Sequence, residues 1–299
     1  MRGWTLMVTM AMVPYSMAQV LSVPTVPEDT PQPVWDPAFI QRNGVTAIIG
    51  TPSVKRDGQP IREQRERTLY KFDDLGRQVY ANTSFGRPGT GTDTASTVST
   101  YDADGCVKES LRNDLAGHYL TERTYDSLCR VTSETYVRVE NLGPDRYQFL
   151  AGQRTVISEE RHVYRTESDT AWIRTTLNDR GLPYREQRHA YDRWGYLRSI
   201  EDRYLVSGRR SRVTFRYNEK GRLAERIVQA DLLDPRTVKE LYHYDVAGNL
   251  TASDLYHSDK AVRRDEYLYE ENTMFLKARL SQDLESNMIR IMRYHTERR

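Results

Sequence analysis

The stretch "AYDRWGYLRSI", Ala190–Ile200, contains the motif that decides the fold of this chain. An aromatic residue is followed by Asp, two variable residues and Gly, and then by a run of alternating apolar and polar residues. An Asp side chain can hydrogen-bond the backbone two residues later, and Gly tolerates the positive φ that reverses a chain. The stretch therefore predicts a β-strand, a tight turn and the start of a returning strand.

The same motif recurs through most of the 299 residues, and its last five intervals are 27, 26, 27, 25 and 25 residues. A steady period of this size indicates an array of supersecondary units. Before each turn, aromatic and polar residues alternate, which predicts a half-buried strand. Only Asn272–Glu285 has a pattern compatible with a helix. The lead aromatic residues are Phe72, Tyr101, Tyr125, Tyr164, Tyr191, Tyr217, Tyr244, Tyr269 and Tyr294.

Two strands and two turns per unit predict an all-β fold, an antiparallel β-hairpin meander that forms a curved, open sheet over residues 61–299. The chain stops soon after Tyr294, so the last unit has no returning strand. We therefore expect Met288–Arg299 to be an open edge available for a partner or for self-association. The structural turn residues are Asp102, Asp126, Asp192, Asn218 and Asp245, with Gly76, Gly105, Gly195, Gly221 and Gly248.

The first residues have the layout of a signal peptide. Arg2 is followed by an apolar run, Trp4–Pro14, that is too short to span a bilayer, and Ser16–Ala18 is a small-x-small cleavage site. This predicts a cleaved segment at residues 1–18. Because no Cys at the cleavage site could carry a lipid, we expect a secreted, periplasmic or cell-surface protein with no membrane span.

Residues 19–60 are predicted to be a linker. The stretch Val23–Pro37 has five prolines in fifteen residues, and proline at this density favours extended backbone. The apolar run Gly44–Thr51 is the one β-like segment here, and it is expected to be an extra edge strand.

The charges nearly cancel, with 44 basic and 42 acidic residues, so a general electrostatic interaction with nucleic acid is not expected. In an oxidising compartment the two cysteines, Cys106 and Cys129, are candidates for a disulfide. They are separated by about one repeat. The histidines lack metal-ligand spacing, so neither a metal nor a cofactor is predicted.

The recurring acids could bind calcium, but each already has a structural role in its own turn. The lead tyrosines are expected to stack across strands. Trp172 and Trp194 lie outside that register and are the candidate ligand-binding rings. Acidic neighbours such as Asp73 and Asp74 point to opposite strand faces, which suits an acid–base pair poorly. With no nucleophile elbow or phosphate loop, an enzyme is not expected.

These repeats resemble the YD repeat of the Rhs and teneurin-like families, whose pattern is Tyr-Asp-x-x-Gly-Arg-Leu. The best matches are Tyr217–Leu223 and Tyr191–Leu197, followed by Tyr244–Leu250 and Tyr101–Val107, while Cys129 replaces the Gly of the Tyr125 unit. The resemblance implies a β-hairpin ribbon, which large members wind into a hollow shell around a toxin. This chain lacks the family's core motif and a toxin domain. About eight units are too few to close a shell, so the resemblance implies the sheet alone.

Together these features predict an exported, non-catalytic β-repeat scaffold that binds a protein or glycan at the bacterial cell envelope or outside the cell. One alternative is an orphan remnant of a larger Rhs-type toxin shell. The other is a carbohydrate-active enzyme. Toxin or immunity genes beside this one would favour the remnant, and envelope genes would favour the scaffold.

Overall fold

A computed structural model describes residues 19–23, 33–64, 66–84, 94–114, 116–144 and 149–299. The signal peptide predicted at residues 1–18 lies outside the described residues, as does most of the Pro-rich stretch. Over the described ranges, no helix is long and apolar enough to cross a membrane.

The described residues form twenty-one strands and one short helix. In chain order they are β1 (Leu21–Ser22), β2 (Val34–Trp35), α1 (Pro37–Arg42), β3 (Val45–Lys55), β4 (Arg62–Glu63), β5 (Thr68–Phe72), β6 (Gln78–Ser84), β7 (Thr94–Tyr101), β8 (Val107–Asp114), β9 (Gly117–Tyr125), β10 (Val131–Asn141), β11 (Ala151–Ser168), β12 (Ala171–Leu177), β13 (Pro183–Tyr191), β14 (Leu197–Tyr204), β15 (Arg210–Tyr217), β16 (Leu223–Gln229), β17 (Val238–Tyr244), β18 (Leu250–His257), β19 (Lys260–Tyr269), β20 (Leu276–Asp283) and β21 (Ile289–Arg298).

Strands β3 to β21 form one closed antiparallel barrel whose order follows the chain. Because β4 and β5 pair with different parts of the same edge of β3, the nineteen strands occupy 18 positions around the barrel. The prediction of an antiparallel all-β meander is confirmed. The prediction of an open sheet is wrong, because β21 pairs with β3 from Ile289↔Lys55 to Arg298↔Val45.

The predicted C-terminal edge is therefore not an edge. Strand β21 has β20 on one side and β3 on the other, so its backbone is paired on both sides. The missing returning strand of the last unit comes from the N-terminal part of the chain, and it contains the run Gly44–Thr51 that was expected to lie at an edge. The segment Asn272–Glu285, for which a helix was the alternative, contains strand β20.

The repeated motif has a recurring geometry in the described turns. The carboxylate Oδ1 of Asp192 accepts hydrogen bonds from the backbone N–H groups of Trp194 and Tyr196, at 2.9 and 3.0 Å. Gly195 has a φ of +85°, which allows the chain to reverse. The same side-chain-to-backbone bonds are made by Asp73, Asp102, Asp126, Asn178 and Asn218. In the Asp245 turn, Oδ1 accepts instead from the backbone N–H groups of Gly248 and Asn249. Positive φ is also found at Gly76, Gly105, Gly181, Gly221 and Gly248.

The lead tyrosine is explained by a second recurring bond. The hydroxyl of Tyr244 donates to the carbonyl oxygen of Leu223, the first residue of the returning strand in the preceding unit, at 2.8 Å. Each such bond ties one hairpin to the next, which gives the Tyr hydroxyl a role in the units that make it. The other pairs are Tyr101 with Gln78, Tyr125 with Val107, Tyr164 with Val131, and Tyr269 with Leu250.

The two faces of the barrel wall differ in burial. Phe215 is nearly inaccessible, whereas its neighbour Arg216, which points to the other face, is exposed. We call the face that carries the lead tyrosines the inner wall, because the N-terminal segment packs against it. The N-terminal segment packs on this wall, where Trp35 contacts Tyr70 and Tyr294 edge to face.

Much of the predicted linker belongs to this core. Val20, Trp35 and Ile40 are buried in one cluster with residues of β3, β5 and β20. Helix α1 begins at Pro37 after the N-cap Asp36, whose side chain accepts from the backbone N–H of Phe39 at 2.7 Å. The described part of residues 19–60 therefore packs against the barrel wall or, from Val45 onward, forms part of it.

The two cysteines lie in neighbouring turns at one end of the barrel. Cys106 and Cys129 form a disulfide, with their Cα atoms 6.1 Å apart. Cys129 takes the turn position that Gly occupies in sister units, and its φ is +58°. The bond thus closes a loop of about one repeat at a position where a side chain carries backbone strain.

Removing the disulfide is expected to lower the free energy of unfolding by about 3 kcal/mol, because the unfolded chain regains the entropy of this loop. The measurement is urea unfolding with and without a reductant. A Cys106→Ser/Cys129→Gly variant should be about 1 kcal/mol more stable than Cys106→Ser/Cys129→Ser, because Gly relieves the positive φ. Equal stability of the two variants would contradict this.

Candidate functional site

A group of titratable and aromatic side chains lies on the inner wall of β12, β13 and β14. The strand registers place Trp172 opposite His189, Arg174 opposite Gln187, and Gln187 opposite Asp202. All of these side chains point to the same face because pairs directly across a sheet share a face. We call this group the inner-wall cluster; it contains Trp172, Arg174, Arg185, Gln187, His189 and Asp202.

Asp202 is the centre of the polar half of the cluster. It accepts hydrogen bonds from Nε of Arg185 at 2.7 Å and from Nε2 of Gln187 at 2.8 Å. Burial opposes its ionisation, but the bonds from Arg185 and Gln187 outweigh burial and hold the pKa of Asp202 below its usual value. Arg174 donates to Gln187, while its Nε is buried without a partner. The carboxylate is thus neutralised by arginine and is poorly suited to remove a proton.

Trp172, a predicted ligand-binding residue, lies within the cluster. Its ring stacks on that of His189, with centroids 3.8 Å apart, and Tyr164 packs beside it at 5.4 Å. Because β12 runs between β11 and β13, Tyr164 and His189 lie on opposite sides of Trp172. Trp172 is therefore half-buried between two aromatic neighbours.

Trp194, the other predicted ring, lies elsewhere. It occupies the second variable position of the turn that joins β13 to β14, and 66% of its surface is exposed. The guanidinium of Arg193 lies 4.0 Å from its ring centre and covers one face. Trp172 and Trp194 thus belong to different surfaces, the inner wall and a turn.

Within the cluster, the side chain of His189 has the largest shift in pKa. Burial lowers the pKa of His189 to about 4, and the nearby Arg174 acts in the same direction. The unfolded chain has an ordinary histidine pKa of about 6.5, so it binds more protons than the folded protein between these two values. Stability from neutral His189 is complete above about pH 6.5 and is lost as the pH falls toward 4.

A His189→Gln variant is therefore expected to lose less stability between pH 6.5 and 4.5 than the wild type, by about 2 kcal/mol after allowance for solvent screening. Urea midpoints at several pH values measure the slope. His295→Gln, at an exposed position of β21, is the matched control and should keep the wild-type slope. An unchanged slope in His189→Gln would show that burial of His189 does not set the acid sensitivity.

The inner wall continues with more charge pairs of the same kind. Arg226 bonds Glu240, which also accepts from the hydroxyl of Tyr242 at 2.7 Å. The hydroxyl of Tyr184 donates to Glu160 at 2.5 Å. Burial, reinforced by the neighbouring carboxylates, raises the pKa of Tyr242 and of Tyr184. Hydroxyl groups with raised pKa values stay protonated, so they act as hydrogen-bond donors that help to hold the wall together.

No group of three or more His, Cys, Asp or Glu that could hold a metal ion occurs over the described ranges. The recurring turn acids each bond to their own backbone, as at Asp192. Their carboxylate oxygens thus already accept hydrogen bonds within their own turns.

An open cavity of about 570 Å³ lies at the opposite end of the barrel from the disulfide. It forms where the turns after β14, β16 and β18 come together, and Arg209, Asp231 and His257 are among its lining residues. These segments are far apart in the sequence, and the barrel register brings them side by side.

The Asn178 turn joins β12 to β13 at one end of the barrel. The other turns with the geometry of the repeated motif lie at the opposite end, since each of them joins an odd-numbered strand to the next strand. We call this end the turn rim. Four of its turns have a large apolar residue at the tip, each more than half exposed. They recur every four strands, about 19 Å apart for a strand spacing of about 4.8 Å. These tip residues are Leu75, Leu128, Trp194 and Val246.

Comparisons with known proteins give only distant likenesses. No protein-family model and no curated protein matches the chain. A porin-like protein from Bacteroides uniformis is 14% identical, with a TM-score of 0.39 over 85% of this chain and 98% of that one. A porin-like protein from Bacteroides vulgatus is 8% identical, with a TM-score of 0.33 over 85% and 98%. A LolA superfamily protein from Nitrosomonas europaea is 10% identical, with a TM-score of 0.20 over 87% and 88%. At these scores none of the likenesses carries an argument about function.

Proposed function

We propose that this protein is an exported, non-catalytic β-repeat scaffold that binds a protein partner at the bacterial cell envelope or outside the cell. The observation that carries the proposal is the set of exposed apolar tips at the turn rim. Leu75, Leu128 and Trp194 stand at the second variable position of the motif, where other turns have Asp104 or Lys220, so the turn itself does not require an apolar residue there. Each tip is a single apolar side chain, and we infer from their regular spacing along one end of the barrel that a protein partner contacts several of these turns at once.

The absence of catalysis is part of the proposal. It is supported by the inner wall, where carboxylates such as Asp202 and Glu240 are each bonded to an arginine. Groups paired in this way stabilise the fold, whereas a general acid or base needs a free proton position near a substrate.

Membership of the YD-repeat family remains a proposal as well. The recurring Asp–backbone turn and the Tyr hydroxyl bond to the preceding unit support it, because both need the residues that the family pattern contains. Export rests on the sequence layout of residues 1–18. N-terminal sequencing of protein recovered from outside the cytoplasm tests the predicted cut before Gln19.

The partner is tested by affinity capture. Immobilised protein is incubated with solubilised envelope from the source cells, beside a Leu128→Ser/Trp194→Ser variant of the turn rim. We expect one protein to be retained by the wild type and at least tenfold less by the variant. Leu233→Ser is the matched control, since Leu233 is 95% exposed but lies at the opposite end of the barrel. Equal retention by the rim variant would contradict the proposal, and no specific retention would favour the remnant.

A glycan ligand is the second candidate, and the exposed ring of Trp194 favours it. One face of the ring is covered by Arg193, and most of the residue's surface is accessible for stacking on a sugar. Glycan-array binding that is lost in Trp194→Ala but kept in Trp172→Ala would support this candidate. Trp172 is the suitable control because it is held between Tyr164 and His189.

A further inference from the structure

The two strands that flank β11 pair with different halves of it. Strand β10 pairs with Ala151–Arg161, whereas β12 pairs with Arg161–Ser168. From Ala151 to Glu160 the strand therefore has β10 on one side, and within the described residues no strand pairs with its other side. A strand edge without a neighbour leaves backbone N–H and C=O groups available to another strand.

This free edge is also exposed on both faces. Six consecutive residues, Gln153 to Ser158, are exposed, and they include Val156 at 59% and Ile157 at 52%. Neither Pro nor Lys protects the segment. A β-bulge lies in the middle of the segment, because Tyr136 pairs with Ser158 and Val137 with Val156, which leaves Ile157 as the extra residue.

We propose that the free edge of β11 pairs with the same edge of a second copy of this chain, antiparallel, across a two-fold axis between Val156 and Ile157. In this register Thr155 lies opposite Ser158, and Arg154 lies opposite Glu159. The bulge of one copy meets the bulge of the other, so the two strands stay in phase on both sides of the axis.

The faces of the strand agree with this register. Arg154 is paired with Val139 of β10, and Glu159 with Thr135. Val139 and Thr135 are four residues apart on one strand and so point to the same face. Arg154 and Glu159 therefore share a face, and the two-fold axis produces two oppositely charged cross-strand pairs.

Charge complementarity selects a second copy over an unrelated extended peptide. The edge has a basic residue, Arg154, on one side of the axis and an acidic residue, Glu159, on the other, with two apolar residues between them. A segment with this arrangement is its own antiparallel complement. The ion pairs that these residues make within one copy, Arg154 with Glu122 and Glu159 with Arg161, are exposed and easily exchanged.

The test is the oligomeric state of four purified full-length proteins by sedimentation equilibrium at several concentrations. The wild type should be a dimer. Arg154→Glu and Glu159→Arg should each weaken dimerisation by about tenfold or more, because like charges then face each other twice. The double variant Arg154→Glu/Glu159→Arg should dimerise like the wild type, since the charges are again opposite.

Arg165→Glu, an exposed position in the paired half of β11, is the control and should leave the dimer unchanged. Far-UV circular dichroism of each variant shows that the barrel is intact. A monomeric wild type, single variants that dimerise normally, or a double variant that stays monomeric would each overturn the proposal. A monomer that instead retains an extended peptide from another protein at this edge would also overturn it.

Discussion

Replacing Gly76 by Ala is expected to lower the free energy of unfolding by about 2–5 kcal/mol, as the sum of two costs. The first is backbone strain of about 1–2 kcal/mol, because Gly76 has a φ of +75°. The second is overpacking of about 1–3 kcal/mol. A Cβ atom at position 76 would lie 2.7 Å from the backbone nitrogen of Gln41 and closer still to the carbonyl oxygen of Pro37.

The close neighbours of Gly76 are backbone atoms of helix α1, so no side-chain rotation can relieve the contact. The helix must move, and the packing of Phe39 on Phe275 moves with it. Gly181→Ala is the matched control, because Gly181 has a φ of +72° but no atom within 4 Å of the new Cβ. Urea unfolding of both variants separates strain from overpacking. Equal losses would mean that α1 does not pack tightly against the turn.

The repeat was predictable because its causes are local. Asp192 bonds to the backbone within four residues, and Gly195 reverses the chain within the same turn. Such contacts join residues that are close together in the sequence, so a short motif is enough to predict them. The hydroxyl of Tyr244 bonds to Leu223, which is 21 residues away. The sequence indicates this longer contact only through the regular period of the lead tyrosines.

Closure of the barrel was not predictable in the same way. Strand β3 pairs with β21 across more than 230 residues, and nothing in the motif indicates which strand completes the last unit. The apolar run Gly44–Thr51 was visible as a strand, but its neighbours were not.

The inner-wall cluster depends on register rather than on local pattern. Trp172 and His189 stack because of how β12 pairs with β13, and a slip of one residue would place them on opposite faces. Their spacing in the sequence contains no sign of this. The same holds for the free edge of β11, which exists because β10 and β12 are offset along it.

Replacing Asp265 by Asn is expected to lower the free energy of unfolding by about 3–5 kcal/mol, because it removes the buried negative charge with which two arginines pair. The side chain of Asp265 is 3% exposed on the inner wall. It forms ion pairs with Arg263 at 3.1 Å and with Arg279 at 3.2 Å. Asp234→Asn is the control, since its partner Arg236 is highly exposed, and its urea midpoint should stay close to that of the wild type.

A triple variant, Arg263→Met/Asp265→Leu/Arg279→Met, distinguishes an unpaired charge from lost packing. It removes the whole charged group and fills similar space with apolar side chains, so it should be more stable than Asp265→Asn despite carrying more changes. Tyr267, whose ring lies 5.9 Å from the guanidinium of Arg279, would then pack against Met. If the triple variant is the less stable of the two, the arginines contribute through contacts other than the carboxylate, and the inner wall is held by more than matched charge.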